Sequence, residues 1–98
     1  MKFINECGCK FEHEVLENAI DLECRNRNKY CYSEYKIFLH GDYPCICIGH
    51  EHVRVHVIIG KLLYGKIRKG YVIHHKDHDK LNNLSENLEC LSSSVHAK

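Results

Sequence analysis

The sequence predicts an α+β fold. A β-hairpin and a helix lead into a strand, a polar loop, a second strand and a short helix, and a cysteine-containing extension precedes them all. Three observations predict it. Apolar residues alternate on both sides of Gly49. They recur at helical spacing from Ile58 to Leu63. They alternate again on both sides of a polar stretch at 76–86.

The elements follow in order. Residues 1–40 form the extension and 41–98 the second unit. Within the extension, Val15, Leu16, Ala19 and Ile20 predict a helix over Glu14–Glu23. Tyr43 to Ile48 and His52 to Val55 alternate around Gly49-His50-Glu51, which predicts a hairpin with Gly49 in or beside its turn. Ile58, Ile59, Leu62 and Leu63 predict a helix that ends at Gly65, a residue suited to the position just past a helix. Gly60 inside that helix costs about 1 kcal/mol against Ala, so a close neighbour is expected there. Tyr71-Val72-Ile73-His74-His75 is rich in β-branched and aromatic residues and predicts a strand. Lys76 to Glu86 predicts a loop. Leu88-Glu89-Cys90-Leu91 predicts the second strand, and Ser92-Ser93-Ser94 an N-cap for a short helix that carries His96.

Composition bounds the class. Ninety-eight residues suffice for one domain, with a core near the lower limit of unaided stability. No apolar run approaches a membrane span, and Met1-Lys2-Phe3-Ile4-Asn5-Glu6 is no signal peptide, so a cytoplasmic protein without a membrane partner is expected. The seven cysteines are an odd number, which argues against a disulfide framework. Cys7, Cys9, Cys24 and Cys31 could form a four-thiolate structural zinc site, which would help so small a chain to fold. The other reading is reduced thiols. Cys45 and Cys47 share one face of a strand and are expected in the core.

The C-terminal run HHKDHDKLNNLSENLECLSSSVH carries the chemistry. His74 and His75 are adjacent, Asn87 lies twelve positions beyond His75, and His96 nine beyond Asn87. Neighbouring strand residues point to opposite faces, so His74 and His75 cannot share one role. The run resembles the HNH endonuclease family, and the resemblance extends back over VRVHVIIGKLLYGKIRKGYVIHH to cover about residues 45–98.

The resemblance implies a small ββα-metal fold that hydrolyses DNA and leaves a 5′-phosphate and a 3′-hydroxyl. It implies that His74 and His96 are metal ligands through neutral imidazole. His75 would be the general base, and Asn87 would tie the loop and help hold His75. A histidine suits that base role because its ordinary pKa lies near working pH. The cofactor would be one divalent ion, with magnesium, manganese, zinc and nickel all candidates. Some family members carry another His one helical turn later. Here the sequence reaches Lys98, which implies two protein imidazoles and an open coordination sphere. The family often has a His at the place of His56, where it touches DNA or packs under the site. Asp77 either orients a site histidine or closes the loop. Asn82 and Asn83 are expected to be turn residues.

The net charge of +1 hides a division. Residues 52–80 hold seven Lys/Arg against two Asp, and residues 1–51 hold six against nine acidic residues. Arg54, Lys61, Lys66, Arg68, Lys69, Lys76 and Lys80 are therefore candidate phosphate contacts, and the stretch Arg25 to Tyr30 is a candidate DNA-facing loop. The reading is a metal-dependent DNA endonuclease of phage or mobile-element type. The alternative is a zinc-stabilised, non-catalytic nucleic-acid-binding module. One site cuts one strand, so a double-strand break would need a homodimer or two sequential nicks.

Overall fold

The computed structural model describes residues 1–92. The expected caps Ser93 and Ser94 and the short helix with His96 lie outside the described residues.

The described residues build two sheets with two α-helices. The first sheet has four strands: β1 (Lys2–Asn5), β2 (Glu34–His40), β3 (Tyr43–Ile48) and β4 (Glu51–Arg54), in that spatial order. β1 and β2 are parallel and are joined through α1 (His13–Asn26). β2, β3 and β4 are antiparallel hairpin neighbours, with Phe38 opposite Cys45 and Ile46 opposite Val53. α2 (Val55–Tyr64) follows β4 directly and packs on α1. The second sheet is the antiparallel pair β5 (Tyr71–His75) and β6 (Leu88–Ser92). No helix among the described residues is long and apolar enough to cross a membrane.

Local chemistry explains these elements. In β2, Tyr35 and Ile37 point inward between exposed Glu34 and Lys36, a half-buried strand pattern. In β3, Ile46 and Ile48 face the core while Cys47 is exposed. The expectation that Cys45 and Cys47 both enter the core therefore holds for Cys45 alone. α1 buries Leu16, Ala19 and Ile20, one stripe of an amphipathic helix, and runs further than expected, through Asn26. α2 ends where Gly65 takes φ 77°, a conformation that side-chain-bearing residues resist. One continuous core joins α1, β2, β3, β4, α2, β5 and β6, with Leu16, Ile20, Ile37, Ile46, Ile59 and Leu88 each fully buried.

The division expected at residue 40 falls inside the β2–β3 hairpin. The sheet runs across it, because Tyr35 and Ile37 bury their side chains in the same core as Ile46 and Ile48. The expected extension thus supplies the outer half of the sheet and the helix on which α2 rests.

Gly60 accounts for the close approach of α2 to β5. A Cβ at this position would lie 2.4 Å from Cδ1 and Cγ1 of Ile73. The missing side chain lets β5 sit directly on the helix, with Ile73 and His75 turned toward it.

Candidate active site

β5 and β6 present the site. Their register pairs His74 with Glu89 and His75 with Leu88. Strand alternation buries Ile73 and His75 and leaves His74 half-buried on the other face. The two histidines thus occupy different surroundings.

His75 closes a column of rings. Tyr43 of β3 stacks on His56 at 5.0 Å and 23°, and the His56 ring lies 4.9 Å from that of His75. The column borders a cleft of about 460 Å³ whose wall also carries Arg54, Lys61, His74, His78 and Lys80. His56 is buried, and its Nδ1 has no hydrogen-bond partner among the described residues. Burial, then the neighbouring His75 and Arg54, push its imidazole down to about 3. It therefore remains neutral at any working pH, a packing ring under the site. The His74 ring meets that of His78 at 5.0 Å and 73°.

The polar loop between β5 and β6 is tied by amides. Asn87 accepts from the Asp77 backbone N–H at 3.2 Å, and its Nδ2 donates to Asp77 Oδ1 and to the Asn82 carbonyl, both at 2.9 Å. The Lys76 N–H donates to the Asn87 carbonyl at 2.8 Å, which joins the two strands just past His75. Asp77 also accepts from Asn82 Nδ2 and from the Asp79 N–H, each at 2.8 Å. Bonds from Asn82, from the Asp79 backbone and from Asn87 pull its carboxyl down to about 2. Asp77 therefore closes the loop, and its partners Asp79, Asn82 and Asn87 belong to that same turn of chain.

Asn83 departs from the turn-residue expectation. It is fully buried, and its Oδ1 lies 2.8 Å from Nε2 of His75. Its Nδ2 lies 3.0 Å from the sulfur of Cys9. Asn82 does behave as a turn residue, with its amide bonded to Asp77. The adjacent asparagines thus split: one closes the loop and one reaches under the histidine.

The N-terminal segment straps this loop from outside. The Lys10 N–H donates to the Leu81 carbonyl at 2.7 Å, and the Asn83 N–H donates to the Lys10 carbonyl at 2.8 Å. Glu12 accepts from the Ser85 N–H at 2.7 Å and from its hydroxyl at 2.6 Å. The Ser85 hydroxyl bond holds the Glu12 carboxyl below the usual carboxylate range.

The expected basic contacts divide into groups. Arg54 lies over the Tyr43 ring at 4.6 Å and Lys80 at 5.1 Å, both on the cleft. Lys61 lines the cleft too, but its Nζ is bonded to the buried carboxylate of Glu23 at 3.2 Å. Lys66 and Arg68 line a separate shallow hollow with Tyr64 and Tyr71. Lys69 and Lys76 are exposed. In the stretch expected to form a DNA-facing loop, Arg25 is helical and Arg27 is paired with Glu23 and Glu51.

The four cysteines do not form one cluster. Cys7 neighbours Cys9, and Cys24 neighbours Cys31. No three or more His, Cys, Asp or Glu side chains converge as a metal group among the described residues. Cys9 is drawn to Asn83, and Cys31 donates to Asp21 at 3.1 Å, which accounts for two of the four thiols. The expected four-thiolate site is therefore corrected to two separate thiol pairs. Of the expected active-site metal ligands, His74 stands on the cleft wall and His96 lies outside the described residues.

No curated protein and no solved structure matches this chain. The family model described as HNH endonuclease matches residues 53–98, which begin in β4 and include α2, β5, the amide-tied loop and β6. Over that stretch, the chain is similar to the HNH endonuclease family.

Proposed function

We propose that this chain is a metal-dependent DNA endonuclease in which His75 is the general base. One observation carries the reading. Within the matched stretch, a buried histidine on the cleft is held by a buried amide, Asn83, so that its ring has one orientation. A buried imidazole takes a hydrogen bond in any role, and here the bond also fixes the ring beside the cleft, as a base that must aim its other nitrogen at a water requires. Arg54 on the same cleft offers positive charge for a phosphate backbone, and Lys80, whose Nζ lies 3.3 Å from the exposed carboxylate of Asp42, can add to it.

The metal that the family uses would be held by His74, whose imidazole faces the cleft, together with His96. When bound, such an ion polarises a phosphoryl oxygen as a Lewis acid. The donor is of the right kind for zinc or nickel, which imidazole suits better than it suits magnesium or manganese. This chain's own residues do the rest. Asn87 and Asp77 fix the loop, Asn83 orients His75, and His75 takes the proton of the attacking water. The zinc-stabilised alternative loses its main support, because the cysteines do not gather into one group among the described residues.

The test is nicking of supercoiled plasmid by purified protein across a divalent-metal panel, with His75→Ala alongside. His75→Ala is expected to lower cleavage by about two orders of magnitude or more, the scale of general-base loss, while DNA affinity is kept. Undiminished nicking by His75→Ala would remove His75 from this role. Loss of cleavage on chelation, with weakened metal binding in His74→Ala and in His96→Ala by calorimetry, would support the ligand pair.

A further inference from the structure

The hydrogen bonds beneath His75 have a single direction. The Cys9 thiol lies 3.7 Å from the Lys10 carbonyl and donates its proton there. Its sulfur can then only accept from Asn83 Nδ2. The same Nδ2 points at the Lys80 carbonyl, 3.4 Å away. Turning the amide over would set Oδ1 against that carbonyl, acceptor against acceptor. Oδ1 therefore faces His75, and an oxygen acceptor requires an N–H on the nitrogen opposite it. In a neutral imidazole only one nitrogen carries a proton.

We propose that Cys9, acting through Asn83, is a positioning residue that fixes His75 as its Nε2–H tautomer and leaves Nδ1 as the nitrogen that takes the proton. The proposal rests on His75 being the base, and it adds a residue that lies outside the matched stretch 53–98. Cys9 suits the task. It is buried, and burial pushes its thiol up to about 11, so it keeps the proton that it gives to Lys10. The flanking strap, with Lys10 paired to Leu81 and Asn83, holds the sulfur in reach of the amide. The N-terminal segment thus orients the base from behind, through the amide, without lining the cleft itself.

The experiment uses the full chain labelled with nitrogen-15 at its histidine rings. Imidazole nitrogen shifts read the tautomer of His75 directly, apart from any activity. Wild-type protein should show a single Nε2–H species. Cys9→Ser retains an acceptor and should keep both that species and cleavage. Cys9→Val removes the acceptor and should give a mixture of tautomers, with cleavage lowered about tenfold, the scale of one lost neutral hydrogen bond. An Nδ1–H species in the wild type overturns the proposal, whether or not the variants fold. So does a Cys9→Val protein that keeps one Nε2–H species and full cleavage. If Cys9→Val scrambles the tautomer but the wild type cuts no DNA under any metal, the positioning stands and the nuclease reading falls instead.

Discussion

The four-stranded side and the β5–β6 side of this molecule are held by different forces. Around Leu16, Ile20, Ile37 and Ile46 the interior is aliphatic and fully buried. Between residues 76 and 87, the buried residues are two amides, Asn83 and Asn87. Aliphatic burial is non-directional and tolerates swaps of similar volume. An amide network is directional, and a buried group that loses its partner costs far more than the bond was worth. The sheet can thus be repacked without moving the site, whereas one missing amide partner disturbs it. α2 mediates between the two sides: its Lys61 reaches Glu23 of α1, and its Gly60 meets Ile73 of β5. Substitutions at these two joints, and then at the surface, separate the two kinds of cohesion.

The largest effect is expected at Glu23. Its carboxylate is 3% exposed and takes bonds from Arg27 Nε at 2.6 Å and Lys61 Nζ at 3.2 Å. Its cationic partners are partly exposed and Arg27 keeps Glu51, so removing the carboxylate costs about 1–3 kcal/mol, the scale of lost hydrogen bonds to a charged group. Against a total of about 5–15 kcal/mol for a domain, Glu23→Ala should remove a sizeable fraction of the stability, as urea titration would show. Burial by itself would raise this carboxyl, but the bonds from Arg27 and Lys61 outweigh it and hold the group below the usual range. A depressed folded pKa contributes stability above the ordinary value of about 4.3 and loses it as pH falls through the folded value. The gap between wild type and Glu23→Gln should therefore narrow on acidification from about pH 6 to about pH 3. A gap that widened would show that the carboxylate is not held by these cations.

Much of this architecture was legible in the sequence, for a physical reason. β5, β6, the β3–β4 hairpin and α2 obey periods of two or 3.6, and periodicity reports burial on one face. The glycine in α2 announced its close neighbour. β1 escaped because it is four residues long and gains its place from a parallel partner more than thirty positions away, and β2 alternates over Glu34–Ile37 but loses the period at Phe38 and Leu39. Asn83 escaped for a stronger reason. Two adjacent asparagines in a polar loop carry the signature of a turn, and nothing local separates them. Asn83 is buried by Cys9, 74 positions earlier, and by the strap at Lys10. A directional polar network leaves no period in the sequence, so the part of the site that depends on it had to be seen in three dimensions.

An intermediate effect is expected at Gly60. Alanine would gain about 1 kcal/mol of helix propensity, but its Cβ would overlap Ile73, and overpacking of a core costs about 1–3 kcal/mol. A net loss of up to about 2 kcal/mol is expected by thermal or urea unfolding. The same shift would push β5, and with it His75, off its position, so cleavage should fall by up to about a hundredfold. Adding Ile73→Ala deletes both colliding atoms, Cδ1 and Cγ1, and should restore part of the loss in cleavage, a coupling that a double-mutant cycle would measure. If stability fell and cleavage did not, the site would be independent of the helix beneath it.

The smallest effect on stability, and the clearest on DNA, is expected at Arg68 and Lys69. Both side chains are exposed just before β5, and no salt bridge among the described residues involves either. Lys61, by contrast, is already committed to Glu23 and is a weaker candidate for phosphate. Removing one phosphate-binding cation should reduce the slope of log affinity against log salt by about 0.9. Arg68→Ala with Lys69→Ala should therefore flatten that slope by up to about 1.8, with melting temperature nearly unchanged. The weakening should be alike for unrelated DNA sequences, because backbone contacts position the protein without reading bases. An unchanged slope would move the backbone contact to the cleft, where Arg54 and Lys80 flank Tyr43, and the matching double substitution there would then carry the salt dependence.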